Sequence, residues 1–383
     1  MQKKLSVLFL CGWYPSRVLP TNGDFIERHA KAVAKLNNVS VIHIITDENL
    51  VAKEEIIVSK EENLITYLAY VKPQKNGFLK ALTFYKVFKK IYSKIDSIDV
   101  VHLNEIYPFG IFSLYLKKRF NKPYIISEHW TVYHQPQAKN ISFFQKKISN
   151  LITKSAEFVC PVSNDLADSL KKIPLKGNYT KVPNVVNTEL FFPLEKKEER
   201  FTIIHISNMI NEHKNVEGIL HVISKLQLES IDFCLKLIGD NSIKYIDFAK
   251  KLGIDSKNIE FINQIPHKEI VTHLQKADVF VLFSNYENLP CVILEAFSCG
   301  VPVISTNVGG IKEYFPENFG TLISKNNEEL LLKEILNIYY KKHKIADKQI
   351  MHQYVKNNFS ELVIANSFNN LYQKAVKNIA KWI

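Results

Sequence analysis

Several features that would assign a protein to a common class are missing from this 383-residue chain. No apolar run reaches the roughly 20 residues that a membrane-spanning helix needs. Neither a G-x-G-x-x-G fingerprint nor a P-loop occurs, so dinucleotide and ATP chemistry have no support. No cluster of metal ligands is visible. The five cysteines lack metal spacing and are expected to be reduced cytosolic thiols: Cys11, Cys160, Cys234, Cys291 and Cys299.

The N-terminus has some of the features of a signal peptide. Lys3 and Lys4 precede an apolar run that ends at Cys11. The run is short, and Trp13-Tyr14-Pro15 stands where a small-residue cleavage site would be expected. We therefore interpret the run as the first buried strand of a cytoplasmic protein.

Positive charge is concentrated in the first half of the chain. Residues 1–190 contain 27 Lys and Arg against 16 Asp and Glu, whereas residues 191–383 contain 23 against 22. A basic half indicates an anionic partner, such as nucleic acid, a membrane surface or an acidic substrate. The alternative is a compositional bias toward Lys and Asn.

Apolar strand patterns alternate with helical periodicity along the whole chain, which predicts an α/β protein with doubly wound parallel sheets. A length of 383 residues favours two domains. The predicted strands are 5–10, 39–45, 100–103, 124–127, 158–162, 201–206, 233–238, 259–261, 279–283 and 301–306. The predicted helices are 24–36, 79–95, 111–119, 216–226, 243–252, 267–276, 292–299 and 361–382.

The segment between Glu287 and Glu295 is the most informative part of the sequence. Pro290 suits the first turn of a helix, where its missing N–H needs no partner. Gly300 fits the position after the helix end. The first-turn N–H groups could hold an anion such as a diphosphate. One carboxylate could then bind sugar hydroxyls and the other a ribose. The alternative is a plain strand–helix–strand unit with one exposed and one capping glutamate.

The string from Glu287 to Glu313, E-N-L-P-x-V-x-L-E-A-x-x-x-G-x-P-V-I-x-T-x-x-G-G-x-x-E, resembles glycosyltransferase family 4 with its Glu-x7-Glu motif. The resemblance implies a GT-B fold, in which two Rossmann-like domains face each other across a cleft. It places an acceptor-side domain at 1–186, completed by a C-terminal helix at about 362–383, and a nucleotide-sugar domain at 187–361. It also implies a retaining transferase that needs no metal or other cofactor.

Residues of the second half receive roles from this resemblance. Glu287 would act on the donor sugar, and Lys214 would neutralise the leaving diphosphate. The family's arginine is absent, and Asn208 stands near its place. Either another cation such as His213 substitutes, or activity is weaker or lost. The expected donor-binding residues of this half are Glu295, Asn288, Leu289, Pro290, Cys291, Asn208, Gly239 and Gln264.

Polar residues that follow strands of the first half are candidates for the same cleft. Gly23 precedes a helix and could admit a diphosphate or sugar to the backbone; the alternative is an ordinary loop capped by Asn22 or Asp24. His129 matches a family histidine near the donor sugar and is assigned with Glu287 and Lys214 to catalysis, although a lone histidine is more often structural. His102, Glu105 and Asp24 are assigned to the acceptor side.

The expected partners are a UDP- or GDP-sugar and a glycan or polyprenyl-linked acceptor in surface polysaccharide synthesis, with no nucleic acid. Two alternatives are a GT-B nucleotide-sugar epimerase and a binding protein that has lost catalysis. Aromatic residues and lysines alternate at helical spacing over 78–92 and again from Phe143. Such helices could lie at an anionic membrane surface, or they could be buried helices with lysines toward solvent.

Overall fold

A computed structural model describes residues 4–195 and 200–380 of the chain. The chain divides into two compact units. One unit runs to Val185 and resumes at Glu361, and the other comprises Val186–Ser360. Each unit consists of one sheet with helices packed on it. The predicted architecture of two doubly wound α/β sheets is therefore confirmed.

The first unit contains a seven-stranded sheet. Its strands are β1 (Ser6–Cys11), β2 (Asn38–Thr46), β3 (Glu54–Glu61), β4 (Leu64–Val71), β5 (Val100–Asn104), β6 (Tyr124–Glu128) and β7 (Phe158–Pro161). They lie in the order β3-β4-β2-β1-β5-β6-β7. All neighbours are parallel except β3 and β4, an antiparallel hairpin that the sequence analysis missed. Because β1 lies between β2 and β5, the direction of winding reverses at β1.

Six α-helices belong to the first unit: α1 (Asp24–Ala34), α2 (Gly77–Tyr92), α3 (Gly110–Phe120), α4 (Phe143–Ser155), α5 (Asn164–Lys172) and α13 (Glu361–Ala380). Helices α1 and α13 pack against each other and on the sheet, α1 on β2 and β4 and α13 on β5 and β6, and Phe9 of β1, Ala30 and Phe368 share one buried cluster. The predicted C-terminal helix is thus present to Ala380, and residues 381–383 lie outside the described part of the chain.

The second unit contains a six-stranded, wholly parallel sheet. Its strands are β8 (Phe201–Ile206), β9 (Phe233–Ile238), β10 (Ile259–Ile262), β11 (Val279–Leu282), β12 (Val303–Thr306) and β13 (Gly320–Ile323). Their order is β10-β9-β8-β11-β12-β13. The first strand of this unit, β8, again lies between strands wound in opposite directions, here β9 and β11.

The helices of the second unit are α6 (Asn211–Lys214), α7 (Val216–Leu226), α8 (Ile246–Lys251), α9 (His267–Leu274), α10 (Cys291–Ser298), α11 (Glu328–Tyr339) and α12 (Lys348–Phe359). The predicted helix 243–252 is a 3₁₀ turn followed by the shorter α8. Pro290 was placed in the first turn of α10, but it occupies the N-cap with an extended ψ of 120°. Gly300 follows the helix with φ +72°, as predicted.

Candidate active site

Glu287 follows β11 in a loop that leads to α10. The residue is 8% exposed, and its Oε1 accepts hydrogen bonds from Lys214 Nζ at 2.5 Å and from Ser284 Oγ at 2.7 Å. Oε2 has no bonded partner among the residues that the structure describes. A largely buried carboxylate is therefore paired with one cation while one of its oxygens stays available to a hydroxyl donor.

A glycine turn fixes the position of the Glu287 backbone. Gly309 has φ +56°, and a Cβ at this position would lie 1.8 Å from the carbonyl oxygen of Glu287. The next amide, Gly310 N–H, donates to the carbonyl of Asn288 at 2.9 Å. On the other side, Thr306 Oγ1 donates to the carbonyl of Ser284 at 2.6 Å. Residues after β12 therefore hold the loop in place.

Lys214 ends the short helix α6, which follows β8. The loop after β11 is bound to this helix by Asn285, whose backbone N–H donates to the carbonyl of His213 at 2.7 Å and whose Nδ2 donates to the carbonyl of Glu212 at 3.1 Å. The ammonium group of Lys214 and the carboxylate of Glu287 are thus brought together from the carboxyl ends of adjacent strands. Both residues were predicted from the sequence, whereas Ser284 was not.

Glu295 lies on α10 and is 1% exposed. Its Oε1 is 2.8 Å from Nε2 of His267, the first residue of α9. The imidazole of His267 lies 5.1 Å from the ring of Phe191. His267 was missed in the sequence, although a polar residue that opens a helix shortly after β10 fits the general position of ligand-binding residues in such sheets.

No arginine of the second unit lies at this site within the described part of the chain. Arg200 is the single arginine between residues 186 and 360. It precedes β8, so it lies at the amino end of the sheet, where its guanidinium binds Asp232 Oδ1 at 2.7 Å. Asn208 is exposed, and its Oδ1 accepts from the Ile210 amide at 3.3 Å, which shapes the turn before α6. Lys214 is therefore the cation that the described geometry pairs with Glu287.

The remaining predicted donor residues of the second unit follow three different strands, β11, β9 and β10. Asn288 and Leu289 are buried in the loop before α10, while Pro290 and Cys291 are partly exposed. Gly239 lies at the end of β9, where a Cβ would be 1.7 Å from the carbonyl oxygen of Ser207, so close backbone packing alone requires glycine. Gln264 is exposed in the loop after β10.

Gly23 and Asp24 begin α1 in the first unit. Gly23 is the N-cap with φ +77°, and a Cβ there would lie 2.6 Å from the carbonyl carbon of Trp13. No side chain caps the helix, so neither Asn22 nor Asp24 has the capping role considered above. The Asp24 carboxylate instead pairs with Arg28 one turn later, at 3.1 Å.

The two histidines predicted as site residues of the first unit have different surroundings. His102 is fully buried inside β5, with Nδ1 2.6 Å from the Tyr372 hydroxyl and Nε2 2.7 Å from Ser127 Oγ. Both nitrogens are bonded inside the protein, Nδ1 to α13 and Nε2 to β6, so neither is free to bind an acceptor in this structure. His129 is partly exposed and lies 4.6 Å from the ring of Phe25. Burial of its nitrogens lowers its pKa well below the usual value.

Two carboxyl groups lie at the ends of β5 and β6. Glu128 is fully buried, and its oxygens accept from the amides of Ile106 at 3.0 Å and of His129 and Trp130 at 2.8 Å. Burial raises its pKa to about 7 against the effect of these bonds. Glu105 is 5% exposed, and burial together with the Glu128 charge raises its pKa to about 9.

Comparison with known proteins assigns this architecture to a family. Residues 186–361 match the family model described as Glycosyl transferases group 1, and residues 25–190 match the model described as Glycosyltransferase Family 4. The chain belongs to glycosyltransferase family 4. This membership decides in favour of a transferase over an epimerase.

Individual relatives agree with the assignment. The chain is 25% identical to the uncharacterized glycosyltransferase MJ1178 of Methanocaldococcus jannaschii over 85% of this chain and 87% of that protein. It is 22% identical to the putative teichuronic acid biosynthesis glycosyltransferase TuaC of Bacillus subtilis, over 73% and 71%. The structure of Anabaena HepE in complex with UDP-glucose matches with TM-score 0.70 and 14% identity, over 97% and 100% of the two chains. The fold is GT-B.

The geometry predicts a specific cost for filling the glycine turn. Gly309→Ala adds a methyl group against the Glu287 carbonyl. Gly253 has a similar φ, +69°, but a Cβ added there would have no atom within 4 Å, so Gly253→Ala is the control. The control should lose about 1–2 kcal/mol of unfolding free energy, the cost of a left-handed alanine. Gly309→Ala should lose more and should also lose activity. Equal losses of stability in the two variants, measured by chemical denaturation, would contradict the described packing.

Proposed function

We propose that this glycosyltransferase moves a sugar from a UDP- or GDP-sugar to a glycan or lipid-linked acceptor, with retention of anomeric configuration. The observation that carries the proposal is the Lys214–Glu287 pair at the carboxyl ends of β8 and β11. In open α/β sheets this reversal of winding is where ligands bind. A cation beside a carboxylate suits a ligand that is anionic at one end and rich in hydroxyls at the other.

Each group then has one task. Lys214 neutralises the diphosphate, together with the N-terminus of α10, where helix amides and dipole favour anions. Glu287 accepts hydrogen bonds from hydroxyls of the donor sugar through Oε2. Glu295 binds the ribose, with His267 orienting its carboxylate. The UDP-glucose complex of the structurally similar Anabaena protein favours uridine as the base.

The proposed reaction needs no protein base. A diphosphate oxygen accepts the acceptor proton on the face from which the diphosphate leaves, so the new bond forms on that same face. Catalysis is then positioning and stabilisation of the phosphate charge. Because Lys214 supplies that charge, we expect turnover without an added metal.

A donor screen with one variant tests this function. UDP- and GDP-sugars are incubated with the enzyme in the presence of EDTA, and released nucleotide and product stereochemistry are measured. Lys214→Ala should lower turnover by about two to three orders of magnitude, as for loss of one electrostatic contact to the transition state. The control Lys251→Ala changes an exposed lysine of the same unit and should keep full turnover.

Full turnover of Lys214→Ala would refute the leaving-group role. Nucleotide binding without release by the wild type would indicate that catalysis has been lost. A changed sugar epimer in place of a transfer product would contradict the transferase assignment.

The first unit has a surface that suits a membrane-bound acceptor. Helices α2 and α3 lie side by side and run in the same direction, because the ring of Phe84 lies 6.2 Å from that of Phe109 and the ring of Phe88 stacks on that of Phe112 at 4.5 Å. The first turns of α2 therefore extend past the start of α3. A Cβ on Gly110, which opens α3, would meet the Ile152 side chain at 2.7 Å, and farther along α3 Lys117 Nζ donates to the carbonyl of Ser155 at 2.7 Å. Helices α3 and α4 therefore run in the same direction, and the first turns of α4 also extend past the start of α3.

These two projecting helix ends carry exposed aromatic side chains. Phe78 is 77% exposed on α2, and Phe143 and Phe144 are 66% and 76% exposed on α4. Lys80 and Lys147 are exposed on the same turns. In the later half of α2 the side chain of Phe88 is buried in the protein. Only the first turns of the helix therefore fit the membrane-surface role that the sequence suggested. No helix in the described part of the chain is long and apolar enough to span a membrane.

We propose that these ends insert into an anionic membrane interface. Each phenylalanine that leaves water contributes about 1.5–3 kcal/mol, and each nearby cation contributes about 1 kcal/mol. Sedimentation with phosphatidylglycerol vesicles should deplete the protein from solution at low salt, with less depletion at high salt or with phosphatidylcholine. The triple variant Phe78→Ser, Phe143→Ser, Phe144→Ser should stay in solution, while Leu228→Ser, on an exposed residue of the second unit, should sediment like the wild type. Equal binding to both kinds of vesicle would contradict the anionic interface, and no binding to either would favour a soluble acceptor.

A further inference from the structure

The sheet of the first unit has its own reversal of winding, between β1 and β5. Gly12 follows β1 directly, and Glu105 follows β5 directly. The two positions are bridged by the Gly12 N–H, which donates to the carbonyl of Asn104 at 3.3 Å. The general rule that places ligands at such a point applies here as it does in the second unit.

The backbone of Glu105 is held in an unusual conformation. Its φ is +78°, in the left-handed region that costs a side-chain-bearing residue about 1–2 kcal/mol. The residue stays there because its amide donates to the carbonyl of Ser127 at 3.0 Å on the neighbouring strand. Strained residues of this kind concentrate at functional sites.

Because Gly12 has no side chain, the side chain of Glu105 can occupy the space beside it. A Cβ at position 12 would lie 2.1 Å from Glu105 Oε2. Any other residue at position 12 would therefore displace the carboxyl group. The φ of Gly12 is not in the left-handed region, so close approach of the carboxyl, and not backbone conformation, is the reason for glycine at this position.

The Glu105 carboxyl is buried without a bonded partner. The residue is 5% exposed, and no hydrogen bond or ion pair reaches its oxygens within residues 4–195 and 200–380. The titratable groups that face it are Glu128, at the end of β6, and Tyr133, in the turn that follows. Neither is a cation. Glu128, by contrast, accepts hydrogen bonds from three backbone amides, so although burial raises the pKa of both carboxyl groups, Glu128 is the one that ionises first.

The pair of carboxyl groups, Glu105 and Glu128, favours an uncharged ligand over an anionic one. Burial and the neighbouring Glu128 favour the neutral form of Glu105, because a carboxylate away from water is costly and two neighbouring ones cost more. A neutral carboxyl group offers one O–H donor and one carbonyl acceptor, which together match an alcohol. A phosphate or carboxylate ligand would meet the Glu128 charge with no compensating cation.

We infer that the Gly12–Glu105 edge of the first sheet binds an uncharged hydroxyl-bearing group of the acceptor, such as a sugar ring, with the Glu105 carboxyl as its hydrogen-bond partner. The inference rests on the proposed function and names the acceptor chemistry at this edge. The substrate would satisfy the buried carboxyl that the protein itself leaves unbonded.

The protonation of Glu105 can be tested by stability alone. A carboxyl whose pKa is raised on folding stabilises the native state fully at low pH, and that stability is lost as pH rises from the unfolded value, near 4.5, through about 9. Glu105→Gln removes this dependence. The unfolding midpoint of Glu105→Gln relative to wild type should therefore rise by at least about 2 °C between pH 5 and pH 9. Tryptophan fluorescence reports the first unit, because residues 186–360 contain no tryptophan.

The binding site is tested with simple acceptors. Octyl hexopyranosides and hexose 6-phosphates are compared as probes by saturation-transfer NMR and, with the donor found in the screen, by transfer kinetics. The wild type should bind the octyl glycosides in preference to the phosphates. Glu105→Ala should raise their KM by about tenfold or more, the loss of one to two hydrogen bonds, and Glu105→Gln should restore most of the affinity. The exposed control Glu62→Gln should match the wild type.

Donor binding separates this inference from the proposed function. If UDP and GDP-sugars fail to bind the wild type, the proposed function fails. If they bind equally to wild type and Glu105→Ala while octyl-glycoside binding is also equal, the inference is wrong. A preference for hexose 6-phosphates, no binding of any glycoside, or a stability difference that does not change with pH would overturn it as well.

Discussion

The reversal of winding at the first strand of each sheet is the constraint on which both candidate sites depend. β1 has neighbours that follow it in opposite directions, and so has β8. The connections that leave these strands diverge, so the carboxyl ends of β1 and β5, and of β8 and β11, are not covered by a helix that crosses between them. Residues in the segments that follow these four strands are therefore the ones that a ligand can reach: Gly12 and Glu105 in one unit, Lys214 and Glu287 in the other.

The two edges have the same topology and opposite electrostatics. In the second unit a lysine and a glutamate share one short hydrogen bond, which matches a ligand that carries both phosphate and hydroxyl groups. In the first unit two carboxyl groups lie close together with no cation facing them, which suits a neutral alcohol. A glycine supports each arrangement. Because Gly309 has no Cβ, the Glu287 carbonyl can lie against it, and because Gly12 has none, the Glu105 carboxyl can do the same. The absence of a Cβ therefore positions an acidic residue in both units.

Much of this could be predicted from the sequence, because long motifs with fixed spacing encode both a local structure and a ligand. The string from Glu287 to Glu313 predicted a loop, a helix, a glycine after the helix end and a strand, with the helix start wrong by one residue. Single residues were harder. His102 lies within β5, and the alternation that would point it inward is hidden in a strand that is buried on both faces. His267 and Ser284 act through other side chains, which spacing along the chain does not show. The hairpin of β3 and β4 was missed because β3, an edge strand with charged ends, is mostly exposed and lacks a buried pattern.

The central claim is that the donor diphosphate binds at the carboxyl ends of β8 and β11. Hydrogen–deuterium exchange with and without UDP tests it on the full chain, since bound phosphate should reduce exchange of the amides around it. We expect protection in peptides that contain residues 207–214 and 284–295, and less protection in Lys214→Ala. Protection confined to the first unit, or protection of the second unit that spares both segments, would contradict it.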